Sequence, residues 1–275
     1  MADDARGIND HYGSVDISAR IVASVRAAGF DPSTITREDL ASFDEFHTGG
    51  RESTRGLARL AGVREGQQVL DAGSGIGGPA RTLAAEFGCR VTGIDLTEAF
   101  CRAAEMLTGW VGLSDRVTFR HGSALDMPFE DQAFDVVWSQ NSMMNIEDKA
   151  GLFREVARVL RPGGLFAFDV VLAGPAPGMH YPTFWASSPA LNFLVPPDEL
   201  RRRLTAEGFV VRDWRDQTAA RLESAKHRQA GAPAPAALGR EVIVTTDVAR
   251  KIENSVRNME EGHTVALRVV AVRSV

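Results

Sequence analysis

The stretch Val69-Leu70-Asp71-Ala72-Gly73-Ser74-Gly75-Ile76-Gly77-Gly78 constrains this chain more than any other. A short apolar run ends in an acid. A glycine-rich turn follows, then an alanine-rich segment of helical character. A second apolar run, Cys89 to Ile94, ends in another acid, Asp95. Gly73 and Gly75 permit backbone angles closed to other residues and let the chain approach a ligand closely. The turn feeds a helix N-terminus near Gly78-Pro79, where free N–H groups favour an anion. At the end of the second strand, Asp95 can accept two hydrogen bonds from ribose hydroxyls. The pattern describes a site for a ribonucleoside cofactor.

Gly73, Gly75 and Gly78 also satisfy G-x-G-x-x-G, the dinucleotide fingerprint. Two features weigh against that reading. Asp71 stands just before the glycines, where a carboxylate suits an ammonium-bearing ligand and would repel a pyrophosphate. The half of the chain after it lacks a second nucleotide fold. The expected cofactor is therefore S-adenosylmethionine, with its methionyl carboxylate at the helix start. A nicotinamide oxidoreductase and a tight turn with no ligand are the remaining alternatives.

Composition sets the class. With 275 residues, of which 44% are apolar, the chain can bury a substantial core in one large α/β domain or two smaller ones. A net charge of −5 and the lack of a strong basic run argue against nucleic-acid binding. Two cysteines, Cys89 and Cys101, are too few for a disulfide framework. The N-terminus is acidic and no apolar run is long enough to span a bilayer. A cytoplasmic protein without membrane or metal partners is expected, and a homo-oligomer is compatible with the reading.

Residues 1–13 read as a loose start. Ser14 to Ala28 reads as a helix closed by Gly29, a short helix falls near Glu38–Phe43, and another runs from Arg51 to about Ala61. Strands at Gln68–Asp71, Arg90–Asp95, Arg116–His121, Phe134–Ser139 and Leu165–Val171 then alternate with helices at about Pro79–Phe87, Glu98–Val111 and Lys149–Leu160. Arg161-Pro162-Gly163-Gly164 stops the last of these helices. Such alternation gives an α/β fold, a doubly wound and mostly parallel sheet. Proline-rich residues 173–197 break the rhythm as a long loop or lid. A helix at Pro197–Glu207, a strand at Phe209–Trp214, a mobile Ala230–Gly239 and a final strand at Thr264–Val272 complete the chain.

Asp71-x-Gly73-x-Gly75, Asp95, Pro128-Phe129, Phe134-Asp135-Val136-Val137 and Leu160-Arg161-Pro162-Gly163-Gly164 together resemble a class I S-adenosylmethionine-dependent methyltransferase. With Phe46-His47-Thr48-Gly49-Gly50 and Trp138-Ser139-Gln140, the resemblance extends to the branch of the sarcosine/dimethylglycine N-methyltransferases. It covers about residues 46–214. It implies a Rossmann-like, seven-stranded sheet whose last strand is antiparallel. Residues 1–62 would be a helical cap over the cofactor, and 63–275 the core with lid insertion 173–197.

Roles follow from the resemblance. Asp71, Gly73, Ser74 and Gly75 would line the methionyl end, Asp95 would hold the ribose, and Leu96 would pack on adenine. Ser123 and Ala124 would meet the adenine edge, Gln140 would lie under the sulfur, and His47 would close over the cofactor. The sarcosine enzymes tend to carry an acid and a histidine where this chain has Asn141 and Asn145, which cannot take a proton.

The partner implied is a small-molecule methyl acceptor, with nitrogen preferred over oxygen. A natural-product O-methyltransferase and a cyclase or binding protein of the same fold are the alternatives. The sulfonium is already activated, so the protein mainly positions a nucleophile, and a neutral amine needs no base in the transfer step. His180, His47 and Asp169 are the candidate bases, and His180, Asn145 and Gln140 the candidate catalytic residues. Asn141, Met144 and Trp185 are expected to contact the acceptor. Pro162 to Leu200 contains no lysine or arginine, so a cation in the pocket would have to come from elsewhere, such as Arg51 or Arg257. A carboxylate buried there would lack a charge partner, so a neutral or cationic acceptor with an apolar body, not sarcosine, is expected.

Overall fold

The computed structural model describes residues 16–45, 47, 49–230, 238–244 and 246–274. The loose start at 1–13, Phe46, Thr48 and most of the Ala230–Gly239 stretch lie outside the described residues. Among the described residues three helices come first, α1 (Ile17–Ala27), α2 (Arg37–Leu40) and α3 (Gly50–Ala61). The alternating part follows as β1 (Gln68–Ala72), α4 (Gly78–Phe87), β2 (Arg90–Asp95), α5 (Glu98–Trp110), β3 (Val117–His121), β4 (Phe134–Gln140), α6 (Lys149–Val159) and β5 (Leu160–Ala173). Then come α7 (Pro197–Ala206), β6 (Phe209–Asp216), α8 (Thr218–Ala230), α9 (Val248–Glu260) and β7 (Thr264–Arg273).

The strands form one seven-stranded sheet in the order β3-β2-β1-β4-β5-β7-β6. The first five are parallel, and β7 runs antiparallel to both β5 and β6. Alternation along the central strands feeds two cores. Leu70, Val137, Phe166 and Phe168 pack with Leu152, Phe153 and Val156 of α6 and Leu200 and Leu204 of α7. Val69, Val136, Trp138 and Ala167 pack on the other face with Leu57 of α3, Leu83 of α4 and Ala104 of α5. Both faces of the sheet are thus covered, which is why β1 and β4 read as nearly continuous apolar runs.

A third core joins α1 to the outside of α5 through Ile17, Ile21, Val25, Phe43 and Leu107, with Leu238 and Ile243. Arg20 fixes the arrangement by donating to the carbonyls of Val242 and Ile243, both at 2.7 Å. Among the described residues no helix is long and apolar enough to cross a membrane.

Two local expectations change. Arg161-Pro162-Gly163-Gly164 does follow the end of α6, but it belongs to β5: Leu160 pairs with Phe134, the register slips, and pairing resumes at Leu165 with Val136. Gly163, at φ 74°, takes up the irregularity. The helix α8 is absent from the sequence reading. Its sequence, TAARLESAKHRQA, is made of good helix formers but has a sparse apolar stripe, so periodicity gives little signal.

Candidate active site

The carboxyl ends of β1 and β2 build one half of the site from backbone. Gly73 and Gly75 have φ of 79° and 53°, open to glycine at little cost. A Cβ on Gly73 would fall 2.3 Å from that of Ser142, so the loop has no room for a side chain there. Asp95 braces the turn. Its Oδ2 accepts from Gly75 N at 2.8 Å and its Oδ1 from Thr97 N at 2.9 Å. Each oxygen keeps a lone pair for a further donor. Burial raises the Asp95 pKa, against the pull of those two amides.

The segment before α3 lies across the start of α4. A Cβ on Gly78 would fall 2.2 Å from the carbonyl oxygen of Asp44. The fully buried Arg81 anchors the segment: Nη2 meets Asp44 Oδ2 at 2.7 Å, while Nη1 donates to the carbonyl of Ile76 at 2.9 Å. Beside it, Glu45 Oε2 pairs with His47 Nε2 at 2.9 Å and lies 2.8 Å from Thr54 Oγ1. Burial acts to raise the Glu45 pKa, but hydrogen bonds from His47, Thr82 and Thr54 outweigh it and hold the carboxyl low.

A cavity of about 930 Å³ opens above these strand ends, at the upper end of the usual range for ligand sites. Of the residues expected at the cofactor, His47, Gly73, Ser74, Gly75, Asp95, Leu96, Ser123 and Ala124 line it. Gln140, Asn141, Met144, Asn145 and Trp185 line it as well. Asp71 lies beneath the wall, 1% exposed. Its Oδ2 has no hydrogen-bond partner among the described residues, and neither has Ser74 Oγ nor Asn141 Oδ1. Burial, helped by Glu45 and Asp95, pushes the Asp71 carboxyl up to about 8. A buried acid in this state suits a cationic ligand, which would satisfy both its charge and its free oxygen. Asn141 holds a left-handed φ of 55°, and such strain in a residue other than glycine clusters at functional positions.

The other half of the site is built from side chains far apart in sequence. Asp169 of β5, paired in register with Gln140 at the end of β4, is its hub. The carboxylate accepts from Ser53 Oγ at 2.9 Å, from Gln140 Nε2 at 3.1 Å, and from Arg268 Nε and Nη2 at 2.8 Å each. Gln140 Oε1 in turn accepts from Trp138 Nε1 at 3.0 Å. Burial would raise the Asp169 pKa, but Arg268 and Arg221 outweigh it and the acid stays charged. Asp169, considered above as a base, is therefore held as the charged partner of Arg268, with its Oδ2 fully used.

Residues 174–196 cover this end. Trp185 is 7% exposed, and its Nε1 donates to Asn192 Oδ1 at 2.8 Å. Asn145 Nδ2 donates to the Trp185 carbonyl at 2.6 Å, and Phe193 N to that of Met144 at 3.2 Å. The amide of Asn145 thus holds the covering segment.

His180 is a correction. It does not line the cavity. Its ring nitrogen meets Glu261 Oε2 at 2.7 Å, and His263 binds the same oxygen at 2.9 Å. Asn258 fixes its backbone from both sides, at 2.8 and 3.0 Å. The covering segment leaves α9 at this point and carries the histidine to the outer face. The cavity wall takes a cation from outside the stretch Pro162 to Leu200, though not either of the two arginines considered: Arg221 of the unanticipated α8 enters it. Arg51 and Arg257 are engaged with Glu38 and Glu261 instead. Thr54, Glu45, Ser53, Arg81 and Arg268 were also missed, since only the folded chain brings them together.

Residues 70–168 match the methyltransferase domain family. The chain is 37% identical over 137 residues to methyltransferase GfsG of Streptomyces halstedii, covering 50% of this chain and 49% of that protein. It is 40% identical over 124 residues to glycine/sarcosine/dimethylglycine N-methyltransferase of Actinopolyspora halophila, covering 44% of this chain and 22% of that protein. In each case it spans half or less of the relative's length. Among solved structures it resembles geranyl diphosphate C-methyltransferase from Streptomyces coelicolor A3(2), with a TM-score of 0.72, 21% identity and 98% of each chain covered. At that identity the likeness establishes the fold.

Proposed function

We propose, starting from a chain that carries a methyltransferase domain over residues 70–168, that it transfers a methyl group to an amine nitrogen of a small molecule. The donor is S-adenosylmethionine, which supplies a sulfonium-bound methyl for in-line displacement. One observation carries the reading: the glycine turn, the braced carboxylate of Asp95 and the buried Asp71 with its unpartnered Oδ2 face or underlie a single cavity. In this proposal Gly73, Ser74 and Gly75 hold the methionyl end, with Asp71 balancing its ammonium. Asp95 takes the ribose, and Leu96, Ser123 and Ala124 take the adenine. Residues 1–62 act as the cap and 173–197 as the lid.

Nitrogen is favoured by the way the basic groups are used. The ring of His180 points to Glu261, His47 is tied to Glu45, and the Asp169 carboxylate is ion-paired with Arg268. Asp126, Glu147 and Asp148 are exposed at the rim. A neutral amine asks nothing of them during transfer, whereas an aliphatic alcohol needs a positioned base. The tertiary or secondary ammonium formed releases its proton to solvent afterwards. A donor-consumption screen over amines, phenols and sugars, read by mass, tests the reading. Amines that gain one methyl support it. Preferential methylation of hydroxyls removes the nitrogen assignment, and isomerisation without methyl gain makes the protein a cyclase.

A further inference from the structure

Arg221 stands apart from every other charged group of the cavity. It is 7% exposed, and it is the only lysine or arginine among the cavity-lining residues described. Its Nη2 lies 3.4 Å from Asp169 Oδ2, within reach of attraction. Yet neither Nη1 nor Nη2 has a hydrogen-bond partner among the described residues. The oxygen it faces, Asp169 Oδ2, already accepts from Ser53, Gln140 and Arg268, so it has no lone pair left for a further donor.

The charge count points the same way. Two guanidiniums, Arg221 and Arg268, meet one carboxylate, so one positive charge is left inside. A lysine in this position could lose its proton, but an arginine keeps its charge in proteins. Burial lowers the Arg221 pKa and Arg268 adds to that, while Asp169 opposes them. A buried charge with unmade hydrogen bonds is costly, and a folded chain tolerates it where a ligand completes it.

We infer that Arg221 anchors an anion subsite at the acceptor end of the cavity, and that the methyl acceptor carries a carboxylate or phosphate. The inference rests on the methyl-transfer reading above and replaces the expectation that anions are excluded. The planar fork with two free nitrogens matches either group in a bidentate pair. Around it, Ala225, Ile252, Val256 and Met259 make an apolar wall. The acceptor that fits is amphipathic, with an anionic end at Arg221 and an apolar body along α8 and α9.

The experiment uses the full chain as wild type, Arg221→Gln and Arg221→Lys. S-adenosylhomocysteine is titrated first, calorimetrically. The loaded protein is then titrated with 4-phenylbutyrate, 4-phenylbutanamide and 2-phenylethyl phosphate. The expected result is binding of the carboxylate or the phosphate about tenfold or more tighter than the amide, the scale of a charged hydrogen-bond pair. Which of the two wins tells carboxylate from phosphate. Arg221→Gln should erase the preference, Arg221→Lys should keep part of it, and homocysteine-cofactor affinity should stay within about twofold, the scale of an unaltered contact set. Ligand-free Arg221→Gln should melt no lower than wild type, since it removes an unmatched charge.

Equal binding of acid and amide overturns the inference, as does a preference that survives Arg221→Gln. A tenfold loss of S-adenosylhomocysteine affinity in Arg221→Gln overturns it too, by assigning the subsite to the carboxylate of the donor. A melting temperature several degrees lower makes Arg221 a structural partner of Asp169 instead. If wild type fails to bind S-adenosylhomocysteine at all, the methyl-transfer reading has failed, and that outcome is distinct from the others.

Discussion

The two halves of the cavity are made by different means. On the side proposed for the donor, the glycine turn and the carboxylates of Asp71 and Asp95 lie within the contiguous span Asp71 to Thr97, held by backbone amides. On the side proposed for the acceptor, Ser53, Gln140, Asp169, Arg221 and Arg268 come from five separate elements and meet mainly through side chains. A backbone cradle is fixed by local turns and tolerates little drift. A side-chain hub can be rewired by single substitutions. A common donor with varied acceptors is what such a division allows.

The comparison breaks most sharply at Asp169. Asp169→Asn leaves two buried guanidiniums facing a neutral amide, so stability should fall by about 3–5 kcal/mol, the range for breaking a buried ion pair. Urea denaturation measures it, and a loss under about 1 kcal/mol would mean the hub is not charge-balanced as drawn. The matching change on the donor side is Asp95→Ala. It should weaken S-adenosylhomocysteine binding by about 1–3 kcal/mol and, because the amides of Gly75 and Thr97 lose their acceptor, cost the ligand-free fold less than the Asp169 change does. Unchanged affinity would remove the ribose from Asp95.

Asp71 sharpens the comparison through pH. Its carboxyl sits near 8 because of burial, with Glu45 and Asp95 adding to the effect. At pH 7 most of the ligand-free protein therefore holds this proton. A bound ammonium favours the ionised form, so binding should release close to one proton and affinity should rise from pH 6 to about 8. Calorimetry of S-adenosylhomocysteine in buffers of different ionisation heat counts the protons, and a count of zero would separate Asp71 from the ligand's amine. The same raised pKa makes the ligand-free fold lose stability as pH climbs from about 4 through 8, since the folded state binds the extra proton.

The smallest effect concerns the covering segments. Residues 173–197 and Ile17–Ala27 should gain hydrogen-exchange protection with S-adenosylhomocysteine bound. Trp185→Ala should raise the Michaelis constant for the acceptor more than for the donor. Protection unchanged in both segments would leave the cap and lid as static walls.

How far the sequence could be read follows the same division. Gly73, Gly75 and Asp95 announce themselves because φ and strand ends are local properties, and the alternation from β1 to β5 rests on runs that a covered sheet requires. The hub around Asp169 leaves no local trace. Ser53 and Arg268 are 215 positions apart, and each reads alone as an ordinary surface residue. Arg221 was lost with its helix, because α8 lacks the apolar stripe that periodicity needs. His180 failed for the opposite reason: a histidine in a presumed lid looked chemical, but the turn of the chain at α9 faces it outward toward Glu261.

The place of β7 bears on how the chain is made. It is synthesised after the other six strands, yet it lies between β5 and β6. Until it inserts, the five parallel strands end in the open, largely apolar edge of β5, and β6 has no neighbour in the sheet. The Asp169 carboxylate meanwhile waits 99 positions for the guanidinium of Arg268. Such an unfinished edge is where nascent chains pair with one another. Mutations that slow the entry of β7 should therefore show first as lost soluble yield during expression, while the molecules that do finish work normally.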